Sequence, residues 1–139
     1  MNLSDLLKEG KLKQIESNAL RARECLTAAE KDIRAAKGQK DADWSFSIAY
    51  NAMLHAARAL MFSDGYAPLG EERHKTAVAY ADAKLGAKYR DLINLFDKMR
   101  AKRHLVMYET SGVISDYEAK FAIKSAEEFL QKVREKIKA

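Results

Sequence analysis

The chain is poor in every residue that would staple, kink or anchor it. Its 139 residues hold one cysteine, which excludes an internal disulfide and any cysteine-rich zinc module. Cys25 therefore reads as a small, partly buried filler rather than a nucleophile. One proline and six glycines leave long stretches without helix breakers, and those stretches are rich in Ala, Leu, Lys and Glu. The three histidines, His55, His74 and His104, never stand at ligand-pair spacing, and no paired carboxylates do, so no metal and no cofactor are expected. A glycine-rich phosphate loop after a strand is absent, and so is a Gly-x-Ser-x-Gly elbow. The opening Met-Asn-Leu-Ser-Asp lacks a basic and apolar leader, which with the lone cysteine points to a reducing, cytoplasmic compartment.

A long uninterrupted apolar run is missing too. Between Asp43 and Asp64 the only formal charge is Arg58, a length that could span a bilayer. Ser45, Ser47, Asn51, His55 and Arg58 interrupt it, and polar groups at the centre of a bilayer are costly. The segment reads as the buried central helix of a bundle, with no membrane partner.

What is present is helical period. A short turn is expected at Leu3 to Lys8, ended near Gly10. Long helices are expected from about Glu16 to Lys37, with Gly38 as the C′ residue, and from Asp43 to Ser63. Gly65 to Gly70 reads as a loop, because glycine and proline punctuate it. A shorter helix follows from Glu71 to Lys84, then a long one from Lys88 to Glu109, broken at Thr110-Ser111-Gly112. The last opens on Ser115-Asp116-Tyr117-Glu118, a capping box, and buries Ala119, Ile123, Ala126, Leu130, Val133 and Ile137. The fold class is all-α, an up-and-down bundle of four or five helices in a single domain, without strands.

Within the Lys88–Glu109 helix an arginine stands where a hydrophobe belongs. Leu92, Phe96, Met99, Arg103 and Val106 share one face at 100° per residue. A guanidinium cannot shed its charge, and burying it unpaired costs several kcal/mol or more. Such a residue calls for an anion, a carboxylate or a second subunit. From Lys84 to Leu105 seven basic residues face two acids, a net +5 equal to that of the whole chain. With Tyr89 and Tyr108 nearby, that run suits a nucleic-acid backbone, although charged helix faces are usually just solvated.

The Asp43–Ser63 helix carries a narrow polar stripe, Ser47, Asn51, His55 and Arg58, inside an arc of roughly 80°. It reads either as satisfied by neighbouring groups or as the wall of a cleft facing the arginine helix. In the second case Asn51, His55 and Arg58 would hold a phosphate or a ribose hydroxyl together with Arg100.

Trp44-Ser-Phe-Ser-Ile-Ala-Tyr-Asn-Ala-Met-Leu-His-Ala-Ala-Arg-Ala-Leu, then Asp64-Gly65-Tyr66, and further on Arg100-x-x-Arg103-His104-x-x-x-Tyr108 give the chain a recognisable layout. It resembles the HEPN domains, small prokaryotic all-α modules often encoded beside a minimal nucleotidyltransferase. The resemblance implies a homodimer and, in active members, a metal-independent ribonuclease site of the Arg-x(4–6)-His type in the dimer cleft; Arg100 and Arg103 are expected at or beside the two-fold. Arg103 matches the family arginine, and His104 the polar residue beside it. Five residues after Arg103 stands Tyr108, where active members have histidine. Arg103, His104 and Tyr108 are therefore the candidate catalytic residues, and Tyr108 weakens the case for catalysis. A tyrosine of ordinary pKa, near 10, is a poor base at neutral pH.

Three functions follow. The first is a non-catalytic or weakly catalytic module that binds RNA, a nucleotide or a nucleotidyltransferase antitoxin through a basic dimer cleft. The second is a ribonuclease toxin of a toxin–antitoxin pair. The third is an unrelated helical adaptor, which the arginine seam disfavours.

Overall fold

The computed structural model describes residues 2–108 and 111–138. Among them are six α-helices and one two-stranded ribbon. The helices are α1 (Leu3–Lys8), α2 (Ala19–Gly38), α3 (Ala42–Asp64), α4 (Arg73–Leu85), α5 (Arg90–Tyr108) and α6 (Asp116–Lys138). A 3-10 turn, Ala87–Tyr89, leads into α5. The expected end of that helix at Glu109 lies outside the described residues. The all-α bundle expected from the sequence is what forms.

The α3 helix is the axis of the core. Ala49, Tyr50, Met53, Ala56, Ala57 and Met61 are all fully buried, so its surroundings are apolar on nearly every side. Its alanines leave little between backbones, and small side chains let helices approach closely. On α2, Ala22, Ala29, Ile33 and Ala36 supply the facing surface. The other main neighbour, α6, contributes Ala122, Ala126, Phe129 and Val133.

Pairings along the helices give their directions. Asn18 N–H donates to Phe62 O at 2.9 Å, and Ser45 Oγ donates to Ala36 O at 2.9 Å, so α2 and α3 are antiparallel. Lys102 meets Glu118 at 2.5 Å while Phe96 lies 5.2 Å from Phe129, so α5 and α6 are antiparallel. The alternation breaks once. Tyr50 reaches His74 near the start of α4, and Asp64 reaches Tyr80 further along it, so α4 runs in the same sense as α3.

That return is made by the segment expected to be a plain loop. Tyr66–Pro68 (β2) pairs antiparallel with Leu12–Gln14 (β1), in the register Leu12↔Pro68, Lys13↔Ala67 and Gln14↔Tyr66. Strands of three residues carry no readable period, which is why the expectation of no strands is corrected here. The ribbon sits beside the bundle and adds the buried Leu12 to its core. Gly65 makes the turn possible: its φ is +90°, and a Cβ there would stand 2.9 Å from Ile15 O.

Helix ends follow local chemistry. The α2 helix begins three residues later than expected because Asn18 Oδ1 accepts from Arg21 N–H at 2.9 Å, capping it. Gly38 is its last helical residue and keeps a negative φ, so it is no C′ glycine; Gln39 is the cap. The Ser115 box forms as expected, with Glu118 N–H donating to Ser115 Oγ at 3.0 Å and Ser115 N–H to Glu118 Oε1 at 3.3 Å.

Candidate functional site

Phe96 and Met99 anchor α5 in the core, and Phe96 lies 5.7 Å from Tyr50 and 5.2 Å from Phe129, centroid to centroid. Two turns on, that anchoring brings Arg103 over Tyr50, with the guanidinium carbon 5.7 Å from the ring centroid. The Arg103 Nε is buried without a hydrogen-bond partner among the described residues. A cation over an aromatic face recovers about 0.5–2 kcal/mol, which offsets only part of the desolvation of a guanidinium.

Tyr50 itself is fully buried, and its hydroxyl oxygen is 3.0 Å from His74 Nδ1. Burial pushes the Tyr50 hydroxyl up to about 12, against the opposing pull of Arg103, Arg100 and Arg58. His74 is held below its ordinary value by burial first, then by the charges of Arg58, Arg103 and Arg100. At neutral pH both groups are therefore uncharged, with Arg103 over Tyr50 and the charges of Arg58 and Arg100 acting on the pair from further off. Two arrangements satisfy the pair: Tyr50 O–H donates to Nδ1 and leaves Nε2–H as an outward donor, or Nδ1–H donates to Tyr50 and leaves Nε2 as a base.

The residues singled out by sequence fall into three places. Arg103 lies over Tyr50, and the charge of Arg100 also acts on the Tyr50–His74 pair while Arg100 pairs with Asp97 at 3.0 Å. His104 and Tyr108 lie on the exposed side of α5, their rings 4.8 Å apart and Tyr108 69% exposed. Within one protomer they do not share the side of Arg103, as the 100° and 140° offsets on a helix require. The polar stripe of α3 does not form one wall toward α5. Ser47 is buried near Val106 and Met107, Asn51 is half-buried, and His55 turns to α2, where its Nδ1 lies 2.7 Å from Asp32. Arg58 and His55 line a cavity on the α2 side instead.

The basic run also divides. Lys84 pairs with Asp64, Arg90 with Asp82 and Lys102 with Glu118, so much of the charge is matched locally. Among the described residues no group of histidine, cysteine and carboxylate side chains could hold a metal ion, and no helix is long and apolar enough to cross a membrane.

Sequence reasoning missed Tyr50 and His74 as site residues. A lone histidine two residues into a short helix signals nothing until the α3–α4 crossing supplies its tyrosine. The only available hint was the arginine seam, which required something beneath it.

A helical bundle whose central tyrosine lies under an arginine, its Nε without a partner among the described residues, defines the class: a compact all-α module with a basic seam. Residues 16–136 match the family model of the HEPN domain, and the chain belongs to that family. No curated protein and no solved structure matches it significantly.

Proposed function

We propose that this HEPN module binds the phosphate backbone of RNA through the seam formed by Arg103, Arg100 and the Tyr50–His74 pair. The observation that carries the reading is the buried Arg103 Nε, which has no partner among the described residues. Arg103 is half-buried as a whole, and a phosphate oxygen on the outer part of its guanidinium supplies the charge-assisted acceptor that no side chain among the described residues provides. Tyr50 O–H donating to His74 Nδ1 leaves Nε2–H as a second donor for the same phosphate.

The module works as a homodimer. Trp44 and Met107 are exposed along one shallow pocket between the start of α3 and the end of α5, the exposed Tyr108 follows Met107 on α5, and a second copy would cover them. In such a dimer His104 and Tyr108 of one copy stand near the Arg103 seam of the other. A nucleotidyltransferase is the further partner that the family layout favours, and it would compete for this face.

Binding of fluorescent tRNA in EDTA tests the reading. The native protein should bind with an affinity that falls steeply with salt, and Arg103→Met should lose that binding while folding normally. Native protein that ignores tRNA, or an Arg103→Met variant that binds equally well, overturns it.

A second reading has one observation in its favour: His74 Nδ1 lies 3.0 Å from the Tyr50 hydroxyl beneath Arg103, in a burial that favours the neutral ring. With Nδ1–H donating to Tyr50, Nε2 can take the proton of a ribose 2′-hydroxyl. The 2′-oxygen then bonds to phosphorus, the bond to the 5′-oxygen breaks, and that oxygen takes up a proton. Arg103 would hold the charge that develops on the phosphate.

A further inference from the structure

On the α2 side of α3 lies a cavity of about 610 Å³, walled by α2, α3 and the β1–β2 ribbon. Four cationic side chains line it, Lys13, Arg21, Arg58 and Arg73, against one carboxylate, Glu24. Among the described residues none of the four cations forms an ion pair. Arg73 uses its Nε on Gly70 O at 3.0 Å, and Arg21 lies over Phe62 with its guanidinium carbon 4.1 Å from the ring centroid. Arg58 is the half-buried member and sits deepest in sequence terms, at the middle of α3, while the other three are exposed.

Like charges gathered around one hollow repel, and folding gains nothing from gathering them. The Arg58 guanidinium is lowered from its ordinary value by burial and by Arg73, against the opposing pull of Cys25 and Tyr50. A bound anion of two or more charges reverses both penalties. His55 adds direction. Its Nδ1 is engaged by Asp32 at 2.7 Å, which orients the ring and leaves Nε2 as the nitrogen available to the cavity it lines. The remaining wall is apolar: Ala28, Phe62 and Pro68. The volume falls within the range of small-ligand pockets, a few hundred to a thousand Å³.

We infer that this cavity is a second site, separate from the RNA seam, that binds a small organic phosphate bearing two to three negative charges. Arg58 and Arg73 grip its phosphate groups, Arg21 and Lys13 close over it from α2 and β1, and the uncharged body lies along Phe62 and Pro68. Cys25 plays no covalent part: burial raises its thiol above the ordinary value and keeps it protonated.

Isothermal calorimetry with inorganic pyrophosphate, and with ADP as a pyrophosphate carrying an organic body, tests this. The paired variant Lys13→Ala, Arg21→Ala alters two exposed side chains and should fold normally. Native protein should bind both probes at constant ionic strength, ADP more tightly than pyrophosphate. The variant should bind each at least tenfold more weakly while its tRNA affinity is unchanged. No heat from either probe at millimolar concentration overturns the inference. So does an equal loss of tRNA and pyrophosphate binding, which would make the cavity a stretch of the RNA path. Loss of tRNA binding in Arg103→Met with pyrophosphate binding intact would separate failure of the seam from failure of this site.

Discussion

Tyr50 and His74 are joined hydroxyl to ring nitrogen at 3.0 Å, from the middle of α3 to the first turn of α4. The bond holds two neutral groups beneath Arg103 and within the field of Arg100 and Arg58. It ties together the helix that leads into the reversed connection and the helix that emerges from it. Fold and site meet at this pair.

Arg103→Met should cost little stability. The variant keeps the apolar stem over Tyr50 and removes a half-desolvated charge, so loss of the cation–π contact, about 0.5–1 kcal/mol, is offset by relief of the desolvation. The melting temperature should stay level or rise while tRNA binding weakens about tenfold or more, roughly 1.4 kcal/mol. A large fall in melting temperature with unaltered binding would make Arg103 a structural residue.

Acid should destabilise the protein in part through His74. Its folded value lies below the ordinary 6.5, so in the interval between them the unfolded chain binds a proton that the folded chain refuses. Stability conferred by the neutral ring is complete above the unfolded value. It declines as pH falls through 6.5 and levels off once the folded ring itself protonates. Urea melts of His74→Gln, compared with native protein from pH 7.5 to 5, should show a shallower decline. Parallel curves would mean that His74 contributes nothing to the acid response.

Gly65→Ala should be among the most harmful single-methyl changes in the chain. The residue would need a left-handed backbone, and its Cβ would press on Ile15 O at 2.9 Å. A cost of about 1–3 kcal/mol is expected, which lowers the melting temperature of a domain this size by several degrees. Pyrophosphate binding should weaken with it, since the turn sets the ribbon that carries Lys13. An unperturbed melt would mean that the turn yields easily.

Asp43→Ala should loosen the start of α6. Its carboxylate accepts from Gly112 N–H at 2.6 Å and from Ile114 N–H at 3.3 Å, fastening the α5–α6 turn to α3. Charge-assisted bonds of this kind are worth about 1.5–3 kcal/mol each when shielded, less at an exposed site, so a loss of about 1–2 kcal/mol is expected in urea. Hydrogen exchange should speed up at Gly112 and Ile114 before it does elsewhere.

If the protein cleaves RNA, it should do so in EDTA and leave a 2′,3′-cyclic phosphate. His74→Gln should abolish that cleavage if the neutral ring is the base. His104→Gln or Tyr108→Phe would instead be decisive if the partner copy supplies the base from the outer side of α5. Product analysis by mass spectrometry distinguishes these cases, and robust cleavage that chelation abolishes would sink both.

The sequence showed the helices because their apolar residues recur at helical spacing, and it showed Arg103 because a charge broke that spacing. It showed Ser115 and Glu118 because a capping box is a local event. It did not show β1 and β2, whose pairing joins residues more than fifty positions apart through three residues on each side. The polar stripe of α3 was visible as a stripe, but which neighbour each member faces depends on how α2, α4 and α5 cross it. His55 going to Asp32 and Tyr50 going to His74 are tertiary facts, and no period encodes them.

The β1–β2 ribbon changes what counts as the minimal unit. The family match begins at residue 16, after the ribbon's first strand has ended. A chain trimmed to the matched region would lose Lys13 from the phosphate cavity, the covering strand beside Pro68, and Leu6 and Leu12 from the hydrophobic core. Residues 2–15 therefore build one wall of that cavity, docked on the α3–α4 connection through the β1–β2 pairing. Ligand selectivity can diverge there without disturbing the bundle that carries Arg103.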